Sequence, residues 1–96
     1  MNEAIVWGYD SLNNAVMRTS ISDLPQFVDT ILHEQNDAAK FLLLLSLSRR
    51  ITGHTLIQKI LLPDEQIENA YILSVLNPLR EKVLKAVSGI IQVPMA

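Results

Sequence analysis

Ala38–Leu47 reads AAKFLLLLSL, and how its side chains are covered decides the fold. A helix advances about 100° per residue, so Phe41, Leu42, Leu43, Leu44, Leu45 and Leu47 point in every direction. The widest gap in this apolar surround carries Ala39, Ser46 and Arg50. A surface helix keeps a polar face, whereas a segment apolar nearly all round must be enclosed. The rest of the chain is therefore expected to cover this stretch.

Working outward, the residues before it continue the same pattern. Leu24, Phe27, Val28, Ile31 and Leu32 form one helical stripe, and Gln35, Ala38 and Ala39 keep its phase. Asp23 suits an N-cap, Gln26 can close a capping box, and Pro25 sits in the first turn where a missing N–H costs nothing. On the far side, Gly53 suits a C-terminal stop, and Arg49 and Arg50 favour the negative helix end. These signals predict a central helix over about 23–52. At 1.5 Å per residue, residues 24–52 would run about 43 Å. A compact chain of this length is roughly 32 Å across. Either the chain breaks near Gln35-Asn36-Asp37, with Asn36 capping a new helix, or the molecule is elongated and packs against a second copy. The unbroken phase favours the continuous helix.

The remaining segments are helical too. Residues 3–18 place Ala4, Ile5, Gly8, Tyr9, Leu12, Ala15 and Val16 on one arc, with Asn2 as a possible cap. Trp7 projects from the opposite, polar face. It reads as a surface tryptophan or, more sharply, as a contact anchor, since Trp is enriched at binding hot spots. Residues 55–62 form a short apolar helix. Pro63-Asp64-Glu65 opens another, 63–76, with Pro at its first position and acids in its first turn. Asn77-Pro78 kinks or breaks that helix before a last amphipathic stretch, 78–88. No period-two strand pattern and no repeat appears. The expected architecture is an all-α bundle of four to five helices in one domain, 1–96.

Composition narrows function by exclusion. The chain has 96 residues, 49% of them hydrophobic, a formal net charge of −2 and no cysteine. It is too apolar for disorder. Its charge predicts no attraction to nucleic acid or anionic membranes. Disulfides, zinc–thiolate sites and thiol nucleophiles are impossible. Glu3 and Asp10 oppose a signal peptide, and the apolar run is far shorter than the roughly 20 residues of a membrane span. The expected setting is the cytoplasm.

Chemistry-bearing residues are few. Asp29, His33 and Asp37 fall on one helical line at i, i+4 and i+8, a spacing that could hold a metal or relay a proton. Ordinary helix-surface ion pairing explains the same line. His54, after Gly53, reads as a turn or cap residue. There is no HExxH, phosphate-binding glycine loop, GxSxG or EF-hand spacing. No catalytic residue, cofactor or metal site is expected, and the chain is read as a non-enzyme.

Two function classes remain. Residues 49–76 can be drawn as helix–turn–helix, the basis of a dimeric DNA-binding regulator. However, the would-be recognition helix begins Asp64-Glu65-Gln66-Ile67-Glu68, which phosphates repel. The favoured class is a protein-interaction module, such as an adaptor, a chaperone subunit or a stoichiometric inhibitor or regulator. It would act by helix–helix binding, first as a homodimer and otherwise with a larger protein. Segments 41–47, 72–76 and 90–95 carry more apolar surface than one intramolecular face requires. Candidate contacts are Trp7, Leu43, Leu44, Leu47, Leu73, Leu76, Ile91, Val93 and Met95.

Overall fold

The computed structural model describes residues 8–34 and 36–90. These form α1 (Tyr9–Arg18), α2 (Leu24–Glu34), α3 (Asp37–Ile57) and α4 (Pro63–Ser88), with one 3₁₀ turn, Gln58–Ile60, between the last two. The molecule is a helical bundle. No described helix is long and apolar enough to cross a membrane.

Three helix starts have a local cause. The Ser20 hydroxyl donates to the Asp23 carboxylate (2.9 Å), and Leu24 N–H donates to the Ser20 carbonyl (3.0 Å), which together set the entry to α2. Asn36 caps α3, its side chain accepting from Ala39 N–H at 2.9 Å. Pro63 opens α4, and the Glu65 carboxylate reaches back to Leu62 N–H at 3.1 Å. That satisfies one of the donors a helix leaves unpaired at its start. Residues 1–7, the first part of the helix expected over 3–18, lie outside the described residues.

Two sequence expectations are corrected. The continuous helix over 23–52 is two helices, α2 and α3, with Asn36 capping the second. Breaking there lets α2 turn back, so that Leu24, Val28 and Ile31 enter the same core as Leu43 and Leu47. Gly53 is not a stop: α3 continues through it to Ile57, and the separate short helix over 55–62 does not exist. A helical glycine costs about 1 kcal/mol relative to alanine, which tertiary contacts beyond it can outweigh. Of the two alternatives for 63–88, a kink or a break at Asn77-Pro78, the break does not occur: α4 is one helix with Pro78 inside it. Both Pro78 and Ser74, whose carbonyl loses its helical partner to the proline, are exposed, so solvent can satisfy that carbonyl.

The core gathers Leu12 and Val16 of α1, Leu24, Val28 and Ile31 of α2, Leu43 and Leu47 of α3, and Leu76, Leu79, Val83 and Val87 of α4. The Ala38–Leu47 stretch is enclosed along one side only, with Leu43 and Leu47 fully buried and Phe41, Leu42 and Leu44 half-buried, and part of that side is unexpected. Ala39 and Ser46, which sat in the gap between the apolar residues, are buried, while Leu45 is 55% exposed. Arg50, one turn beyond Ser46, donates to the carbonyls of Val16 (2.7 Å) and Thr19 (3.3 Å). This side of α3 therefore carries α1, and its small residues permit close approach. Burial pushes the Arg50 guanidinium below its ordinary pKa, yet arginine stays charged and complements the negative end of α1. The Ser46 hydroxyl is buried with no hydrogen-bond partner among the described residues.

The helices leave one part uncovered. The radius of gyration is 14.8 Å, against about 12.5 Å for a compact chain of this length. α3 and α4 form an antiparallel hairpin whose closed end extends past the core. Among the described residues, no buried member of the core cluster falls between positions 48 and 75, where Ile51, Ile72 and Val75 pack against it half-buried.

Candidate protein-binding tip

The closed end, residues 53–72, inverts the usual arrangement. The residues facing each other across the hairpin are polar. Asn69, 4% exposed, is the centre. Its amide nitrogen donates to the His54 carbonyl (3.0 Å) and to the Gln58 side-chain oxygen. Its amide oxygen then has only the His54 ring to accept from, so the ring donates through Nδ1. Gln58 Nε2 donates to the Gln66 carbonyl at 3.3 Å, and Gln66 Nε2 to the Leu61 carbonyl at 2.8 Å. Every polar atom of the Asn69 side chain is satisfied, as burial demands. On the core side of the clasp, the Arg80 guanidinium donates to Ser48 Oγ at 3.0 Å.

The outward surface is apolar. Leu56 is 70% exposed, Ile60 79%, Leu62 69%, Ile67 73% and Tyr71 60%. The positions explain this. Leu56 lies two residues from His54, and Ile67 and Tyr71 each lie two residues from Asn69. A two-residue step turns about 200° on a helix, so these side chains point away from the clasp. Soluble proteins seldom expose apolar patches beyond a few hundred Å² unless something binds there.

Beside the tip, a groove of about 470 Å³ is lined by Met17, Arg49, Arg50, Gly53, His54 and Ile57. Ala39, Ser46 and Gly53 recur every seven residues, so Gly53 continues the α1-bearing side of α3 past the end of α1. The space above it is open: a Cβ added at Gly53 would meet nothing within 4 Å. A smaller pocket of about 200 Å³ is lined by Leu61, Glu65, Glu68, Asn69 and Ile72.

The residues singled out from sequence fall elsewhere. Leu43, Leu47 and Leu76 are fully buried in the core, so their surface is already used within the chain. Leu44 and Leu73 are half-buried. Trp7, Ile91, Val93 and Met95 lie outside the described residues. Of the Asp29–His33–Asp37 line, the Asp29 carboxylate pairs with Lys82 of α4, and His33 Nδ1 bonds the Asp29 carbonyl at 2.8 Å. Asp37 meets Lys40 at 3.8 Å. His54 is no cap but a member of the clasp. The apolar run Leu56–Leu62 is visible in the sequence, where it reads as part of a separate short helix. Its exposure follows only once Gly53 is known to be helical. Compared with family models, curated proteins and solved structures, the chain matches none.

Proposed function

We propose that this chain is a non-enzymatic protein-interaction module that binds by helix–helix packing, with the α3–α4 tip as its contact element. One observation carries the reading: the tip has its polar side chains inside and its large apolar ones outside. Each Leu or Ile left in water forgoes roughly 1.5–3 kcal/mol of burial, so such a tip is suited to being covered by another protein surface. Adaptor, chaperone subunit and stoichiometric inhibitor or regulator are the forms this activity takes, and the cysteine-free composition is compatible with a reducing cytoplasm. The DNA-binding alternative draws less support. Residues 49–76 make an antiparallel hairpin held by His54–Asn69 and Gln58–Asn69 contacts, and α3 runs through Gly53 to Ile57, leaving no turn there to set off a separate helix. The outer edge of α4 is also acidic.

Site-specific photocrosslinking inside the expressing cell tests the proposal. A photoreactive residue at Ile60 is expected to form protein adducts that the same probe at Lys85, on the exposed side of α4 far from the tip, does not. Equal adduct formation at the two positions, or none at either, overturns it.

A further inference from the structure

Resting on that reading, we propose that the tip's occupant is a second copy of this chain. In a twofold pair, the acidic outer edge of α4 from each copy, Asp64, Ile67, Glu68 and Tyr71, sits in the groove beside α3 of the other, over Arg49, Gly53 and Ile57.

Charge complementarity makes the first argument. The groove is rimmed by Arg49, Arg50 and His54, and the α4 edge carries Asp64 and Glu68. Arg49, Asp64 and Glu68 make no ion pair among the described residues. Both surfaces thus present unmatched charge of opposite sign, the pattern that fixes partner and register at interfaces. Their apolar parts match as well. Ile67 and Tyr71 stand one turn apart and protrude. Gly53 leaves the groove floor bare between Met17 and Ile57.

Area makes the second argument. Ile57, Ile67 and Tyr71, which the pair covers, are 40%, 73% and 60% exposed, and Leu56, Ile60 and Leu62 beside them are 69–79% exposed, so the tip offers apolar surface on the scale of a standard interface, ~800 Å² per partner. Because groove and edge belong to the same tip, a twofold pair uses each surface twice and closes.

A charge exchange on the full chain tests this, read by sedimentation equilibrium. The wild-type chain is expected to be a discrete dimer at micromolar concentration. Arg49→Glu alone, or Glu68→Lys alone, sets like charges against each other at both contacts and is expected to raise the dimer dissociation constant at least about tenfold. Mixing the two variants restores one native and one exchanged contact, so the dimer returns. The double variant in a single chain returns it also. Circular dichroism of each variant checks that the helices persist, and the mixing arm keeps the test decisive even if one variant loses some stability.

A wild-type monomer at 100 µM would overturn self-pairing. So would a monomer whose Ile60 probe crosslinks to its own residues 1–7, or single variants that dimerise as well as wild type. A monomer whose tip crosslinks to a different protein overturns self-pairing while leaving the tip as the contact element. A monomer without tip-specific adducts removes both.

Discussion

At its open end, the α3–α4 hairpin brings Leu43 and Leu47 together with Leu76, Leu79 and Val83. At its closed end, it brings His54 and Gln58 against Asn69 and Gln66. Around the open end, α1 and α2 cover the apolar faces. Around the closed end, nothing described covers Leu56, Ile60, Leu62, Ile67 or Tyr71. The same two helices thus hold together by different physics along their length. Burial holds the open end: it is non-directional and contributes in proportion to area. The clasp holds the closed end: it is directional, and its net contribution is modest. What the difference teaches is that a hairpin can be kept closed without spending its apolar side chains. Those side chains then remain free for a partner.

The comparison can be broken from either end, and the largest effect belongs to the open end. Leu43→Ala removes a fully buried side chain from the shared core and is expected to cost about 2–5 kcal/mol in urea denaturation. A cost below about 1 kcal/mol would mean that the core is not where the stability lies. Asn69→Ala comes next. It leaves the His54 ring donor and Gln58 Oε1 unmatched in a partly buried site, for about 1–3 kcal/mol. Amide exchange should localise that loss to residues 53–72 while the open end keeps its protection. Exchange that rises evenly over the whole chain would mean that the tip is not a separate unit.

The smallest effect is expected on the outside of the tip. Ile67→Ser, measured in dilute monomer, should change stability by no more than about 0.5 kcal/mol. The same substitution should also remove any dependence of the melting temperature on protein concentration, because assembly stabilises by mass action. A large loss in the monomer would show that Ile67 is already covered within the chain.

Several features were legible in particular residues. Asp23 and Pro25 could be recognised as opening α2, Pro63-Asp64-Glu65 as a helix start, and Asn36 as the alternative cap that the continuous phase of the stripe argued against. All three are local, decided within a turn or so of helix. Others were not legible. Gly53 carries a stop signal that is only a preference. It lost because His54 and Gln58, beyond it, find Asn69 some eleven to fifteen residues away. Ala39 and Ser46 looked like the weak side of an apolar helix. They became its most enclosed side because small residues let α1 come close.

The sequence by itself determined that this chain is all-α, that helices open at Asp23-Leu24-Pro25 and at Pro63, and that Ala38–Leu47 needs cover from the rest of the chain. Hydrophobic period, capping side chains and proline placement act over a few residues and need no knowledge of the rest. Only the tertiary structure decided which side of that stretch meets α1, that the chain folds back at Asn36, and that the surplus apolar surface collects at the hairpin tip. Those outcomes depend on which distant segments compete for the same face. In a chain with more leucine and isoleucine than one small core can hold, packing geometry selects which of them stay outside.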